Sequence, residues 1–305
     1  PVEEFEDVLA LQAGVVTTGG EIHVRGGRGG EISYMVDGIT VTDPYNSGIA
    51  VEIENNAIQE LQFISGTFNA EYGQAMSGIV NIITKDGDFA DYSGSISGNL
   101  GDYLAEDPLF PKVGQFNSDN ISDLKANIEG PILPGKISFF VSGRQKRNDG
   151  YLLGERIFHP NSYSWSETQN MFLIDSIVGL GNGLVPVDSL WAPLYYQDSL
   201  RTLIDTLRKQ DAFDWVPMNW SEQTTYQAKV SWRVTPKIKF GYNRMFSDTR
   251  SQSYSHDYRW NPDGRPYSFN TRIGDIIRTD ISINQSTFAN VMYSSADNHL
   301  SLIHI

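Results

Sequence analysis

With 305 residues, 40% of them hydrophobic, the chain has the length for one or two domains with a sizeable core. Its 37 acidic residues against 23 basic ones give a net charge of −14, which repels nucleic-acid backbones. The absence of cysteine excludes disulfides, thiolate metal sites and cysteine nucleophiles. No apolar run approaches the roughly 20 residues of a membrane helix, while plentiful glycine, tyrosine and phenylalanine suit strands and turns. The chain opens at Pro1 with neither methionine nor a signal-peptide pattern, so any leader is expected to have been removed or to lie outside it.

Phe5, Val8, Leu9 and Gln12 recur at helical spacing among Glu3, Glu4, Glu6 and Asp7, which predicts a short amphipathic helix ending at Gly14. From Glu21 the period becomes two, Ile22 and Val24 against His23 and Arg25, until the glycine-rich residues 26–30 stop it. Residues 33–36 and 39–41 flank Asp37-Gly38, a pair that supplies the positive φ angles of a type I′ hairpin turn. Alternating strand directions then bring the glycine turn and residues 42–48 to one apex. Asn55 and Asn56 are expected to cap a short helix leading into residues 61–64, followed by a single turn at 69–73 and a strand at 79–84. Residues 1–88 therefore read as a small mixed α/β domain that leaves through Asp86-Gly-Asp88.

Beyond Asp91 the unit becomes strand, tight turn, strand, long loop. Leu124, Ala126 and Ile128 alternate with Lys125, Asn127 and Glu129, and Tyr226, Ala228, Val230, Trp232 and Val234 alternate with Gln227, Lys229, Ser231 and Arg233. Tight turns are expected at 133–136, 234–237 and 284–287, whereas residues 101–123, 148–223 and 251–275 form loops far longer than compact soluble domains use. Short turns on one side and long loops on the other are the asymmetry of an outer-membrane barrel. Counting residues 92–100 as the first, about seven spanning strands are expected, and closed single-chain barrels have an even number of at least eight. An open edge is costly in hydrocarbon, so the chain is expected to be a fragment. Residues 300–305 stop without a terminal aromatic strand, and no expectation is built on them.

Five passages in order carry a family resemblance: residues 24–26 (Val-Arg-Gly), 34–39 (Tyr-Met-Val-Asp-Gly-Ile), 58–66 (Ile-Gln-Glu-Leu-Gln-Phe-Ile-Ser-Gly), 71–73 (Glu-Tyr-Gly) and 77–85 (Ser-Gly-Ile-Val-Asn-Ile-Ile-Thr-Lys). In this order the chain resembles the plug domain of TonB-dependent outer-membrane receptors, and residues 89–305 resemble the beginning of their barrel by patterning alone. The resemblance implies a plug inside an antiparallel transmembrane β-barrel of 22 strands, in the outer membrane of a Gram-negative-type bacterium. It also implies energised uptake of a scarce nutrient, such as a siderophore, cobalamin, oligosaccharide or peptide. Implied partners are TonB with its inner-membrane complex, the nutrient (a metal chelate or a glycan among the options) and outer-membrane lipid. A TonB box, which precedes the plug in this family, is absent from the residues given. The alternative is an adhesion or signalling module that keeps the fold without transport. A secreted carbohydrate enzyme is a third class, with no residue pattern in its favour.

The resemblance also implies that plug arginines pair with barrel glutamates, which singles out Arg25 and, on the polar row of its strand, Glu129. The other reading is a solvated pair in a wet lumen. Residues 26–30 lack the Lys-Ser/Thr of a P-loop, so a tight turn is the better reading, with Arg28, Glu31, Asp43, Tyr45 and Asn46 as the candidate ligand platform. These residues either meet ligand or only touch overlying loops. The five histidines show no metal-ligand spacing, and no serine lies in a Gly-x-Ser-x-Gly elbow. No cofactor, metal or catalytic residue is therefore expected. Tyr226, Trp232, Tyr242 and Phe246 fit an interfacial aromatic belt. Tyr151, Tyr163, Trp165, Tyr195, Tyr196, Trp215 and Trp220, in the longest loop, either stack on a ligand or pack that loop.

Overall fold

A computed structural model of the chain describes residues 5–18, 21–28, 30–43, 48–50, 53–66, 76–104, 113, 116–158, 163–166, 171–174, 198–210, 213–284 and 287–303. The N-terminal helix α1 (Phe5–Ala10) buries Leu9 completely. It leads into a two-stranded ribbon of β1 (Val15–Thr18) and β2 (Glu21–Val24), of which only the second strand was expected. The hairpin of β3 (Ile32–Val36) and β4 (Ile39–Thr40) turns at Asp37 and Gly38, whose φ angles of 50° and 86° fit the type I′ turn. Asn55 and Asn56 do not cap a helix. They lie inside a single 3-10 turn, Asn55–Ala57, and the residue at its cap, Glu54, turns its carboxylate elsewhere.

β5 (Ile58–Ser65) and β6 (Gly78–Thr84) complete a four-stranded sheet in the order β4-β3-β6-β5. β3 and β6 run parallel, so both sides of this small sheet need cover. Ile79, Val80 and Ile82 of the central strand β6 are accordingly shielded completely.

The second body is an antiparallel sheet of seven strands. They are β7 (Ser93–Gly101), β8 (Ile121–Leu133), β9 (Ile137–Asn148), β14 (Ser221–Thr235), β15 (Ile238–Ser251), β16 (Tyr267–Asn284) and β17 (Thr287–Ile303). Between β9 and β14 the chain makes a long excursion containing β10 (Leu153–Glu155), β11 (Tyr163–Ser166), β12 (Met171–Ile174), helix α2 (Asp198–Lys209) and β13 (Trp215–Pro217). β9 and β14 nonetheless pair directly, from Ser221 opposite Asn148 to Trp232 opposite Ile137. The last hairpin is longer than its weak alternation suggested. β17 runs through Leu300 and Ile303, which pair with Asn270 and Tyr267.

The two faces of the large sheet are inverted relative to a soluble protein. Ile96, Leu124, Ile128, Val141, Tyr226 and Trp232 point outward and are exposed, whereas Ser138, Ser142, Gln227, Lys229, Ser231 and Asn243 on the opposite face are buried. The same inversion is what a hydrocarbon solvent outside a polar interior imposes on an outer-membrane barrel. The inner face also receives the N-terminal sheet. Phe140, Met245 and Ile276 from the large sheet join Leu9, Val24, Val36 and Ile82 in one apolar cluster.

Candidate functional site

The inner row of β14 meets the N-terminal body at successive levels. Thr225, Gln227, Lys229 and Ser231 share that row because strand residues alternate sides, and all four are buried. Lys229, 7% exposed, donates from Nζ to the carboxylate of Asp37 at 3.0 Å, to the Thr84 hydroxyl at 2.8 Å and to the Thr84 carbonyl at 3.1 Å. Asp37, 2% exposed, also accepts from the Thr84 N–H at 3.0 Å and the Thr84 hydroxyl at 2.7 Å. Asn243 Nδ2 reaches Asp37 at 3.4 Å, and Arg278 donates to the Asp37 carbonyl at 3.3 Å. The turn residue of the β3–β4 hairpin is thus held by three strands of the large sheet.

One level nearer the tight turns, Asp86 pairs with Lys229 at 3.0 Å and with Lys239, and accepts from Ser231 at 3.1 Å. Burial pushes the Asp86 carboxyl up, but the Lys229 and Lys239 ammoniums outweigh it and hold the group down to about 2. These charges line a cavity of about 270 Å³ between the two bodies.

Toward the long-loop end, Glu54 accepts from Thr225 and lies 3.5 Å from Arg144. Arg144 also binds Asp123 in a two-point fork at 2.8 and 2.9 Å. A buried guanidinium with two carboxylates fixes orientation more than it adds stability.

The apex lies beyond this level. The turn residues Arg25 and Gly26 both have positive φ, 49° and 79°. Glu31 accepts from the Ser77 hydroxyl and, at 3.1 Å, from the Arg28 N–H, and these donors hold its carboxyl below the usual carboxylate range. Arg28 and Glu31 therefore belong to one small cluster, joined to the start of β6. Asp43 differs from the expectation. It is buried, at 3% exposed, and its N–H donates to the Gly48 carbonyl at 2.8 Å, so it shapes its loop from within and does not face outward. Tyr45, Asn46 and the Glu71–Gly73 passage, residues 71–73, lie outside the described residues.

Among the described residues, Arg25 and Glu129 form no ion pair with each other. The Arg25 guanidinium packs beside Gly66, near the Gly78 end of β6, and Glu129 accepts from Ser93 at 2.9 Å. Glu129 lies level with Phe140 and Lys229, whose partner Thr84 ends β6, so the two groups sit a whole strand apart, roughly 20 Å for six residues. The bonds that join the bodies include those of Lys229 to Asp37 and of Arg144 to Glu54. Sequence reasoning placed Lys229 on the polar row but assigned it no partner.

The outer connections brace one another. Arg156 forks onto Asp263 at 2.6 and 2.9 Å, and Arg208 of α2 clasps Glu155. Tyr151 packs edge-on against Tyr103 at 5.2 Å, and Trp220 bonds Gln252 at 3.1 Å and leans on Tyr267, so these two aromatics pack the loops themselves. Tyr195 and Tyr196 lie outside the described residues, as do the side chains of Tyr163 and Trp165.

No family model matches the chain. It is 27% identical over 145 residues to the TonB-dependent transporter Oar of Myxococcus xanthus, an alignment that takes in 45% of this chain and 14% of that protein. Among solved structures it resembles the alcaligin outer membrane receptor FauA of Bordetella pertussis, with a TM-score of 0.59 at 11% identity over 99% of this chain and 37% of that one. The ferric yersiniabactin uptake receptor FyuA of Yersinia pestis gives 0.58 at 14% identity, over 99% of this chain and 39% of its own. The siderophore receptor PirA of Pseudomonas aeruginosa gives 0.55 at 17% identity, over 98% and 38%. At these identities the solved structures establish the fold alone, a small domain set against the face of an antiparallel sheet. The chain spans well under half the length of each of these proteins.

Proposed function

We propose, starting from the chain's kinship with the TonB-dependent outer-membrane receptors, that residues 1–88 are the plug and residues 89–305 the first strands of the barrel of a nutrient receptor. The barrel closes at 22 strands, and the cargo is a siderophore, cobalamin, oligosaccharide or peptide. Arg28 and Glu31, with Tyr45 and Asn46 on the adjoining loop, meet the cargo from the apex, and Asp43 supports that loop. TonB, energised by its inner-membrane complex, then draws on the plug to let the cargo pass.

One observation carries this reading: a small α/β sheet is ion-paired to the polar face of an antiparallel sheet whose other face is apolar and exposed. A plug held by charge pairs can be released without exposing a large apolar surface, since each pair can be exchanged for water or a neighbouring group. The apolar cluster shared by the N-terminal body and the inner sheet face would be harder to part, so release is expected to be partial and to begin at the ionic levels. The test uses the whole receptor in cells. Glu54→Cys and Thr225→Cys, whose native side chains touch, are joined by a short bifunctional thiol reagent. Joining them should leave cargo binding in place and stop TonB-dependent uptake; uptake that continues unchanged with the plug tethered would reject plug release as the transport step.

A further inference from the structure

Described residues of the connection between β7 and β8 and of the excursion between β9 and β14 line a second cavity of about 440 Å³, within the roughly 300–1,000 Å³ of small-molecule sites. One wall is the β10–β13 ribbon. Leu153 pairs with Pro217, and Trp215 lies two residues from Pro217, so the three side chains share the face that lines the cavity. Gly154 on the opposite face lies tight against Met218 and the Arg259 carbonyl, which fixes which way the ribbon faces.

The other wall is polar and already organised. Asp102 accepts from the Asn117 N–H at 2.5 Å and from Asn120 Nδ2 at 2.6 Å; that same Nδ2 reaches the Gly150 carbonyl at 3.3 Å, and the Asp149 N–H donates to the Asn120 carbonyl at 2.8 Å. This web leaves three groups without a hydrogen-bond partner among the described residues: Asn117 Nδ2 and Trp215 Nε1 as donors, Asn120 Oδ1 as acceptor. Asp214, 78% exposed, adds an acceptor at the rim.

From this geometry we propose that the cavity binds a neutral polyhydroxylated ring, a hexose unit of a soluble glycan. An aromatic plane with donors and acceptors at its edge suits a pyranose, which has an apolar C–H face and hydroxyls that both donate and accept. Charge selects against the other cargo classes. Among the described residues the lining carboxylates are Asp102, Asp149 and Asp214; Arg147 and Arg156, outside the lining, pair with the last two, so an anionic chelate meets the charge of Asp102, which has no cation beside it among the described residues. A bare cation is poorly served, because among the described residues no three His, Cys, Asp or Glu side chains are grouped to hold one. The proposal rests on the uptake reading only for the role of the bound sugar as cargo; the binding itself needs no energy input.

The test is therefore a binding measurement on the whole receptor, purified in detergent without TonB. Maltose, cellobiose and lactose serve as probes, with glucuronate and ferric citrate as anionic controls, and the readout is saturation-transfer NMR together with tryptophan fluorescence. At least one neutral disaccharide should saturate, and Trp215→Ala should weaken it by about ten-fold or more, with Trp215→Phe recovering most of the loss. Asn117→Ala should weaken it less. Heat-modifiable electrophoretic mobility checks that each variant remains folded. The proposal is overturned if no neutral disaccharide saturates, if Trp215→Ala binds as tightly as the parent, or if an anionic control binds best. Any of those results alongside an uptake block in the tethered receptor would remove the glycan assignment and leave the transport reading standing.

Discussion

Lys229 stands midway along a strand whose next residue, Val230, faces the outside, so its ammonium has to turn inward and find acceptors there. Those acceptors are Asp37 and Asp86, from the N-terminal hairpin and the segment after β6. Removing one member of a buried pair costs about 3–5 kcal/mol because the other is left uncompensated, whereas replacing both by uncharged groups costs far less. Lys229→Met should therefore loosen the N-terminal sheet, and Asp37→Asn combined with Lys229→Met should recover part of the loss. Hydrogen exchange of residues 78–84 in the whole receptor reads both effects; equal loss of protection in the single and double variants would contradict the pairing. Asp86 adds a pH dependence of defined sign. Its carboxyl is lowered from an ordinary value of 3.8 to about 2, so its stabilisation is fully present above pH 3.8 and lost as the pH falls toward 2. That depression corresponds to about 2 kcal/mol at most. Pepsin cleavage of the segment around residues 85–91 should rise between pH 4 and pH 2, and Asp86→Asn should be cleaved readily at both ends of that window.

At the scale of elements, the segment that leaves the N-terminal body after β6 is held as much by shape as by charge. Gly26 and Gly87 both have a φ of +79°, so an added Cβ meets the same backbone strain at either position, about 1–2 kcal/mol. Their surroundings differ: nothing lies within 4 Å of a Cβ at Gly26, while one at Gly87 would sit 2.2 Å from the Phe139 carbonyl oxygen of β9. Gly87→Ala must consequently push the segment after β6 off β9 and with it the neighbouring Asp86, and Gly26→Ala need not. The first variant should lower the thermal midpoint of the folded receptor clearly more than the second, as measured by loss of heat-modifiable mobility; similar midpoints would show that the contact is slack. Glycine spacing in the sequence marks both positions as turns, but the carbonyl that separates them comes from a strand more than 50 residues further on. The same limit hid the joint between the bodies. Asp37 was legible as a turn former and Lys229 as a polar-row residue, and their pairing spans 192 positions that no local pattern connects.

For the molecule as a whole, the period-two alternation of the strands was legible because an outward apolar row and an inner polar row impose it residue by residue. It was less legible in β16 and β17, where threonine, serine and asparagine stand on both rows, and there the hairpin proved longer than the pattern indicated. The long connections carry no period, which is why the cavity at Trp215 could be named only as an aromatic in a loop. What the alternation alone leaves open is the solvent of the exposed row, since an amphipathic sheet in water has the same period. Val230 decides between the two. It lies between Tyr226 and Trp232 on the outward row and is 38% exposed. On a water-facing surface, Val230→Arg would change stability by only about 0.5 kcal/mol in either direction. At the middle of a lipid-facing strand the same change costs about 2–4 kcal/mol, because the guanidinium must be drawn into hydrocarbon or the bilayer must thin around it. The measurement is urea unfolding of the whole receptor in phosphatidylcholine vesicles, with Asp257→Arg on the outer 3-10 turn as the control for added charge. A large loss for Val230→Arg and almost none for Asp257→Arg is the expected result, and near-equal midpoints would mean that the outward row does not face lipid.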